Sequence, residues 1–215
     1  MIVDIHTHRF YPSEFLCIQN LSIQDAATIL SSSENGFFSV GIHPWDAHIP
    51  SENEFSDLIK WAADKRILAI GECGLDKNST ATLPSQLLIF KKQIELSEKF
   101  QKPLIIHCVG CYNELFHLKK ELKPTQVWII HGFRGKAELA SQALNNGCAL
   151  SFGENFNEKS VRLTPIDKLF IETDESSLTI DTMYEKIAFI KAVNVREIVA
   201  GAKLIEQIAG RLSQI

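Results

Sequence analysis

Five short apolar runs in this chain each stop on a side chain that can ligate a metal: Ile2-Val3-Asp4-Ile5-His6, Ile67 to Glu72, Leu104-Ile105-Ile106-His107, Val127-Trp128-Ile129-Ile130-His131 and Leu169 to Asp174. Short apolar runs alternating with helical patterns are the rhythm of a parallel sheet covered by helices. The runs predict eight strands, over residues 2–6, 15–20, 37–42, 67–72, 103–107, 127–131, 148–152 and 168–173. Helices are predicted over 22–32, 52–64, 84–101, 111–122, 136–145, 157–163 and 181–192, with a last one from Val195. Ser22 and Pro84 are start signals and Gly147 a stop signal. The short link between the first two strands contains Pro12 and Ser13, so the first β/α repeat is expected to lack its helix. The expected fold is α/β, a (β/α)8 barrel with an abbreviated first repeat in a single domain over 1–215. A seven-stranded barrel is the alternative if residues 15–20 prove irregular.

In a parallel barrel the C-terminal strand ends share one face, where loops vary freely while the strands fix side-chain directions. His6 and His8 are two apart, so both imidazoles point to one side of a continued strand. Glu72 has an oxygen for each of two ions, His107 and His131 would complete the second shell, and Asp174 would close the first. Imidazole and carboxylate shells suit zinc, manganese or similar ions. Paired ions lower the pKa of a bound water and neutralise the charge that builds on phosphate oxygens during in-line attack. Asp174, with a spare oxygen, is the expected proton acceptor. Were all six side chains structural, four imidazoles and two carboxylates would be buried with only each other as partners, which is costly.

Other polar residues keep two readings. His43, in Val40-Gly41-Ile42-His43-Pro44-Trp45, ends a strand and either bonds a substrate phosphate or sits in a turn fixed by Pro44. Asp76 orients the loop after Glu72, caps a short helix or is a solvated loop charge, and Lys77 either reaches a phosphate or is a solvated charge. Gly132-Phe133-Arg134-Gly135 either cradles an anion, with Arg134 as the cation, or simply joins strand to helix. His48 and His117 read as surface residues. Of the three tryptophans, only Trp45 falls in a loop at the expected mouth.

Composition narrows the setting. The net charge of −4 gives no broad positive field, so any nucleic acid must be gripped locally. No run approaches the length of a membrane span and no leader is recognisable, so a soluble cytoplasmic protein is expected, with no obligate protein partner evident. Cys17, Cys73, Cys108, Cys111 and Cys148 are odd in number and scattered, which fits a reducing compartment. The Cys108/Cys111 pair lacks the second pair of a zinc knuckle and any thioredoxin-like context.

With these residues in place, the chain resembles the TatD-like family of metal-dependent deoxyribonucleases. The matching strings run in order along nearly its whole length: Asp4 to Phe10 (DIHTHRF), Val40 to Trp45 (VGIHPW), Ala69 to Asp76 (AIGECGLD), Gln86 to His107, Ile129 to Gly135 (IIHGFRG) and Phe170 to Asp174 (FIETD). The resemblance implies a (β/α) barrel, Mg, Mn or Zn dependence, phosphodiester hydrolysis typically from the 3′ end of DNA, and metal ligands at His6, His8, Glu72, His107, His131 and Asp174. Departures fall where substrate is bound. Lys77 and Asn78 stand where the family usually has aromatic residues, and Val109 where it has Arg. Gly132 and Arg134 stand where Cys and Ser are usual, Glu175-Ser176-Ser177 replaces a small residue, Pro and Tyr, and the Pro- and Arg-rich loop beyond is missing.

The expected activity is therefore hydrolysis of DNA or a smaller phosphodiester by water activated between two divalent ions (Zn, Mn or Mg). Asp174 and Glu72 are the expected catalytic residues, and His43, Arg134 and Lys77 the expected substrate contacts. A binuclear amidohydrolase or esterase acting on a carboxylic ester, lactone or amide is the first alternative. A metal-binding barrel with reduced catalysis is the second.

Overall fold

A computed structural model describes residues 2–9, 15–32, 36–48 and 52–199. The strands are β1 (Val3–Thr7), β2 (Leu16–Leu21), β3 (Phe37–Val40), β4 (Ile67–Asp76), β5 (Leu104–Val109), β6 (Trp128–Ile130), β7 (Ala149–Phe152) and β8 (Leu169–Ile171). They follow one another across the sheet in sequence order. A parallel bridge from Thr7 to Asp174 joins the end of β8 back to β1, giving the connectivity of the expected (β/α)8 barrel. Residues 16–21 are a regular strand, which removes the seven-stranded alternative. Pro12 and Ser13, and the predicted helix beyond residue 199, lie outside the described residues.

The helices are α1 (Ile23–Ile29), α2 (Glu52–Ala62), α3 (Leu83–Phe100), α4 (Tyr112–Leu122), α5 (Ala137–Asn145), α6 (Glu158–Leu163), α7 (Ile180–Lys191) and α8 (Val195–Val199). Ser22 starts α1 by accepting a hydrogen bond from the Asp25 amide at 3.1 Å. Thr82 caps α3, with Pro84 in its first turn, and Gly147 follows α5 with φ 75°.

The chain divides into two compact units, one comprising residues 1–19 and 129–215, the other residues 20–128. In the second, β3, β4 and β5 pair in parallel, and an apolar cluster including Leu21, Phe38, Val40, Leu58, Ile67 and Ile89 fills the space beneath α1, α2 and α3. Strand β4 departs from expectation: it runs four residues past Glu72, pairing Gly74 with His107 and Asp76 with Val109. Gly74 permits this, because at its φ of 133° a Cβ would strike the His107 carbonyl oxygen. Asp76 is thus a buried strand-end residue, not the loop or helix-cap residue that the sequence suggests.

Helix α3 fixes two strand ends through side chains seven residues apart on one face. Gln93 accepts from the Ile42 amide at 2.8 Å and donates to the Ile42 carbonyl at 3.0 Å. Gln86 does the same for Asp76, at 2.8 and 3.0 Å. Both glutamines are buried, so each satisfies backbone groups left unpaired where a strand ends. In the first unit, buried Asp4 on β1 accepts from the Thr173 amide and hydroxyl at 3.1 and 2.6 Å, which fixes the end of β8 beside β1.

Candidate metal sites

In the first unit, β1 delivers His6 and His8 to one side, with ring centroids 5.1 Å apart. Asp174 reaches them through an unusual backbone. Its φ is 53°, a left-handed conformation that Asp tolerates better than most residues. Its amide donates to the His6 carbonyl at 2.9 Å and its carbonyl accepts from the His8 amide at 3.3 Å. Asp174 Oδ1 then lies 3.7 Å from His6 Nε2 and 3.6 Å from His8 Nε2. Those separations are longer than good hydrogen bonds. They match the edge of a tetrahedral shell, about 3.4 Å for ligand bonds near 2.1 Å. The donor chemistry and the spacing therefore fit a divalent ion held by His6, His8 and Asp174.

His131, at the end of β6, places its ring 4.3 Å from that of His6. Its Nδ1 is 3.5 Å from Glu172 Oε1, and His131, Glu172 and Asp174 also form a compact donor group. Glu172 is fully buried and accepts from the Gly132 amide at 2.6 Å. Burial opposes its ionisation, but the neighbouring His131 and His6 imidazoles outweigh burial and hold its carboxyl below the usual range. Sequence reasoning did not single out Glu172. The available signal was a second acid, two residues before Asp174, inside the same strand-end string.

In the second unit, Glu72, His43 and His107 form a further donor group. Glu72 Oε1 lies 2.9 Å from His107 Nδ1 and 3.2 Å from His43 Nε2. The backbone at Glu72 is held by Asn20, whose Oδ1 accepts from the Glu72 amide at 2.7 Å. His43 sits in the turn, as one of its two readings expects. Its Nδ1 accepts from the Trp45 amide at 3.2 Å within the turn, so its proton sits on Nε2, pointing at the carboxylate. It therefore serves better as an N–H donor than as a ligand.

His107 is braced from behind. Its Nε2 is 3.0 Å from Asp76 Oδ2, which also accepts from the Trp45 indole at 2.7 Å, while Asp76 Oδ1 accepts from the Asn78 amide at 2.8 Å. Burial opposes ionisation of Asp76, yet the bonds from Asn78, Trp45 and His107 keep its carboxyl below the usual range. With Nε2–H given to Asp76, Nδ1 is the nitrogen on the Glu72 side of the ring and would be the one to ligate an ion there. A carboxylate–histidine pair of this kind fixes tautomer and ring orientation at metal sites.

Of the six expected ligands, His6, His8, His131 and Asp174 are thus gathered in one unit, and Glu72 and His107 in the other. Lys77 is exposed; its amide donates to the Val109 carbonyl at 2.9 Å, and its stem lies against Gly110. Arg134 is exposed in the turn before α5. His48 and His117 are exposed, as the sequence suggests, and Cys73, Cys108, Cys111 and Cys148 are buried. No helix among the described residues is long and apolar enough to cross a membrane.

Comparison with known proteins points the same way as the donor sets. The profile of the family described as TatD related DNase matches residues 6–206. A metal-dependent hydrolase of Buchnera aphidicola is 31% identical over 162 residues, covering 70% of this chain and 60% of the relative. The 3'-5' ssDNA/RNA exonuclease TatD of Erwinia amylovora is 31% identical over 166 residues, covering 72% and 64%. The matched stretch spans about 60% of the length of such curated relatives. The crystal structure of YJJV, a TatD homologue from Escherichia coli K12, superposes with a TM-score of 0.82 at 18% identity over 97% of each chain, a likeness of fold.

Proposed function

Because the chain belongs to the family of TatD related DNases, we propose that it is a divalent-metal-dependent hydrolase that cleaves phosphodiester bonds in DNA or a smaller phosphodiester. The observation that carries this reading is the set of His6, His8 and Asp174, whose donor atoms stand at shell-edge spacing rather than hydrogen-bond spacing. The relatives' names, a metal-dependent hydrolase and a ssDNA/RNA exonuclease, supply the substrate class.

Two ions are proposed, Zn, Mn or Mg: one on His6, His8 and Asp174 with His131 beside them, the other on Glu72 and His107. Bound ions of this kind acidify water and offset negative charge on phosphate oxygens. Asp174 would help to hold an ion and would accept the proton of the attacking water. The water oxygen bonds to phosphorus, the phosphorus–oxygen ester bond breaks, and the leaving alkoxide takes up the proton that Asp174 accepted. His43, whose Nε2 proton points at Glu72, would share that proton with a phosphate oxygen brought beside the carboxylate, and the exposed Arg134 and Lys77 attract the anion. The odd number and scattered placement of the cysteines favour a reducing, cytoplasmic setting.

The test is elemental analysis of the purified protein together with turnover of single-stranded DNA and bis(p-nitrophenyl) phosphate with added Mn, Mg or Zn, for wild type and Glu72→Ala. Metal-dependent cleavage that Glu72→Ala abolishes, with loss of one ion, is the expected result. Bound metal with turnover of carboxylic esters or amides instead of phosphodiesters would overturn it in favour of an amidohydrolase-type activity.

A further inference from the structure

Trp45 is the most exposed large aromatic beside the second donor set, with 58% of its surface open to solvent. A side chain of that size loses free energy by facing water, and an exposed tryptophan ordinarily also samples several rotamers. This one is anchored. Its indole N–H donates to buried Asp76 at 2.7 Å, and its backbone amide donates to His43 Nδ1 at 3.2 Å. Its ring meets His43 edge-to-face, with centroids 4.9 Å apart and planes at 86°, and stands 6.3 Å from the His107 ring. The two groups that fix it, His43 and Asp76, also touch Glu72 and His107, so the indole is rigidly indexed to that donor set.

A rigid aromatic surface open to solvent suits a flat partner, since its ordering cost is already met and its π-face accepts any planar ring. We propose that Trp45 is a specificity residue: a platform on which one unpaired nucleobase of the substrate stacks, presenting the adjoining phosphodiester to the Glu72–His107 set. Such a platform takes only an unpaired base. A base held in a duplex has both faces occupied by its neighbours, whereas an unstacked base in a single strand or at a strand end has a face to give. The protein's modest net charge agrees, because stacking adds affinity where no broad positive field does. The assignment rests on the hydrolase reading for the phosphodiester but not for the base.

The experiment compares two dye-labelled single strands of equal length, one with ordinary bases and one built from abasic residues with the same phosphodiester backbone. Equilibrium binding by fluorescence anisotropy and cleavage with Mn are measured for the metal-loaded wild type, Trp45→Ala and Trp45→Phe. Wild type is expected to bind the base-containing strand about tenfold more tightly than the abasic one. Trp45→Ala should erase that preference, and Trp45→Phe, which keeps an aromatic face but loses the N–H that Asp76 accepts, should retain only part of it. Equal binding of the two strands by wild type, no binding of either, or an equal loss on both strands in Trp45→Ala would overturn the platform. Base-dependent binding through Trp45 without cleavage would uphold it and refute the proposed hydrolysis instead.

Discussion

Replacing Asp76 by Asn tests whether His107 offers its Nδ1 lone pair to an ion. The substitution preserves shape, and the retained oxygen can still accept from the Asn78 amide at 2.8 Å. The new amide NH2 then stands where Oδ2 accepted from the Trp45 indole at 2.7 Å and faced His107 Nε2 at 3.0 Å. A donor there can satisfy His107 only if the ring proton moves to Nδ1, which turns an N–H toward Glu72 Oε1, 2.9 Å away, and removes the lone pair from the ion's position. Loss of such an outer partner costs about 10–100-fold in metal affinity. That equals about 1.4–2.7 kcal/mol. Calorimetric titration of stripped wild type and Asp76→Asn with Zn or Mn measures it, with a denaturation curve confirming that the variant is folded. The weakening should fall on the class of site that uses His107, the ring that Asp76 braces. Unchanged affinity at both classes refutes the tautomer argument, and an equal loss at both shows a general disturbance in its place.

Glu172→Ala removes the acceptor of the Gly132 amide at 2.6 Å and the carboxylate beside His131. It is expected to lower unfolding free energy by about 1–3 kcal/mol in urea denaturation, whereas Glu172→Gln, which keeps an acceptor for Gly132, should lose less; equal losses would show that the amide bond is not what the side chain contributes. Lys102 is buried with its Nζ donating to the Ala62 and Asp64 carbonyls at 2.6 and 2.9 Å, and burial, opposed by the charge of Asp64, pulls its pKa down to about 8. Since the unfolded chain holds that proton to about pH 10.4, it binds more protons than the native state between these values, so stability rises with pH across the window. The gain is at most about 3 kcal/mol. It should be present in wild type and missing from Lys102→Met in urea curves recorded from pH 7 to 10.5; parallel curves would show that the burial does not perturb the group.

The strands and the donor side chains at their ends were legible because both depend on local pattern. An apolar run of strand length that stops on His, Glu or Asp states its secondary structure and its end together. Asp76 was not legible as a strand residue. Its extended pairing depends on Gly74 meeting the His107 carbonyl, a contact between residues far apart in sequence. Glu172 was overlooked although it lies in a quoted string, because only its full burial and its bond to the Gly132 amide distinguish it from a solvated acid. Gln86 and Gln93 read as ordinary polar positions on α3 until the backbone groups of Asp76 and Ile42 are placed against them.

The sequence by itself determined the eight-stranded α/β rhythm, the strand ends that carry donors and the imidazole–carboxylate chemistry of those donors. The tertiary structure decided which nitrogen of each histidine faces a carboxylate, that Asp174 meets His6 and His8 from a left-handed backbone, and that Asp76 anchors Trp45. The physical reason is that periodicity and ligand identity are properties of neighbouring residues. Tautomer, hydrogen-bond partner and donor spacing are set by atoms that only folding brings within a few ångströms.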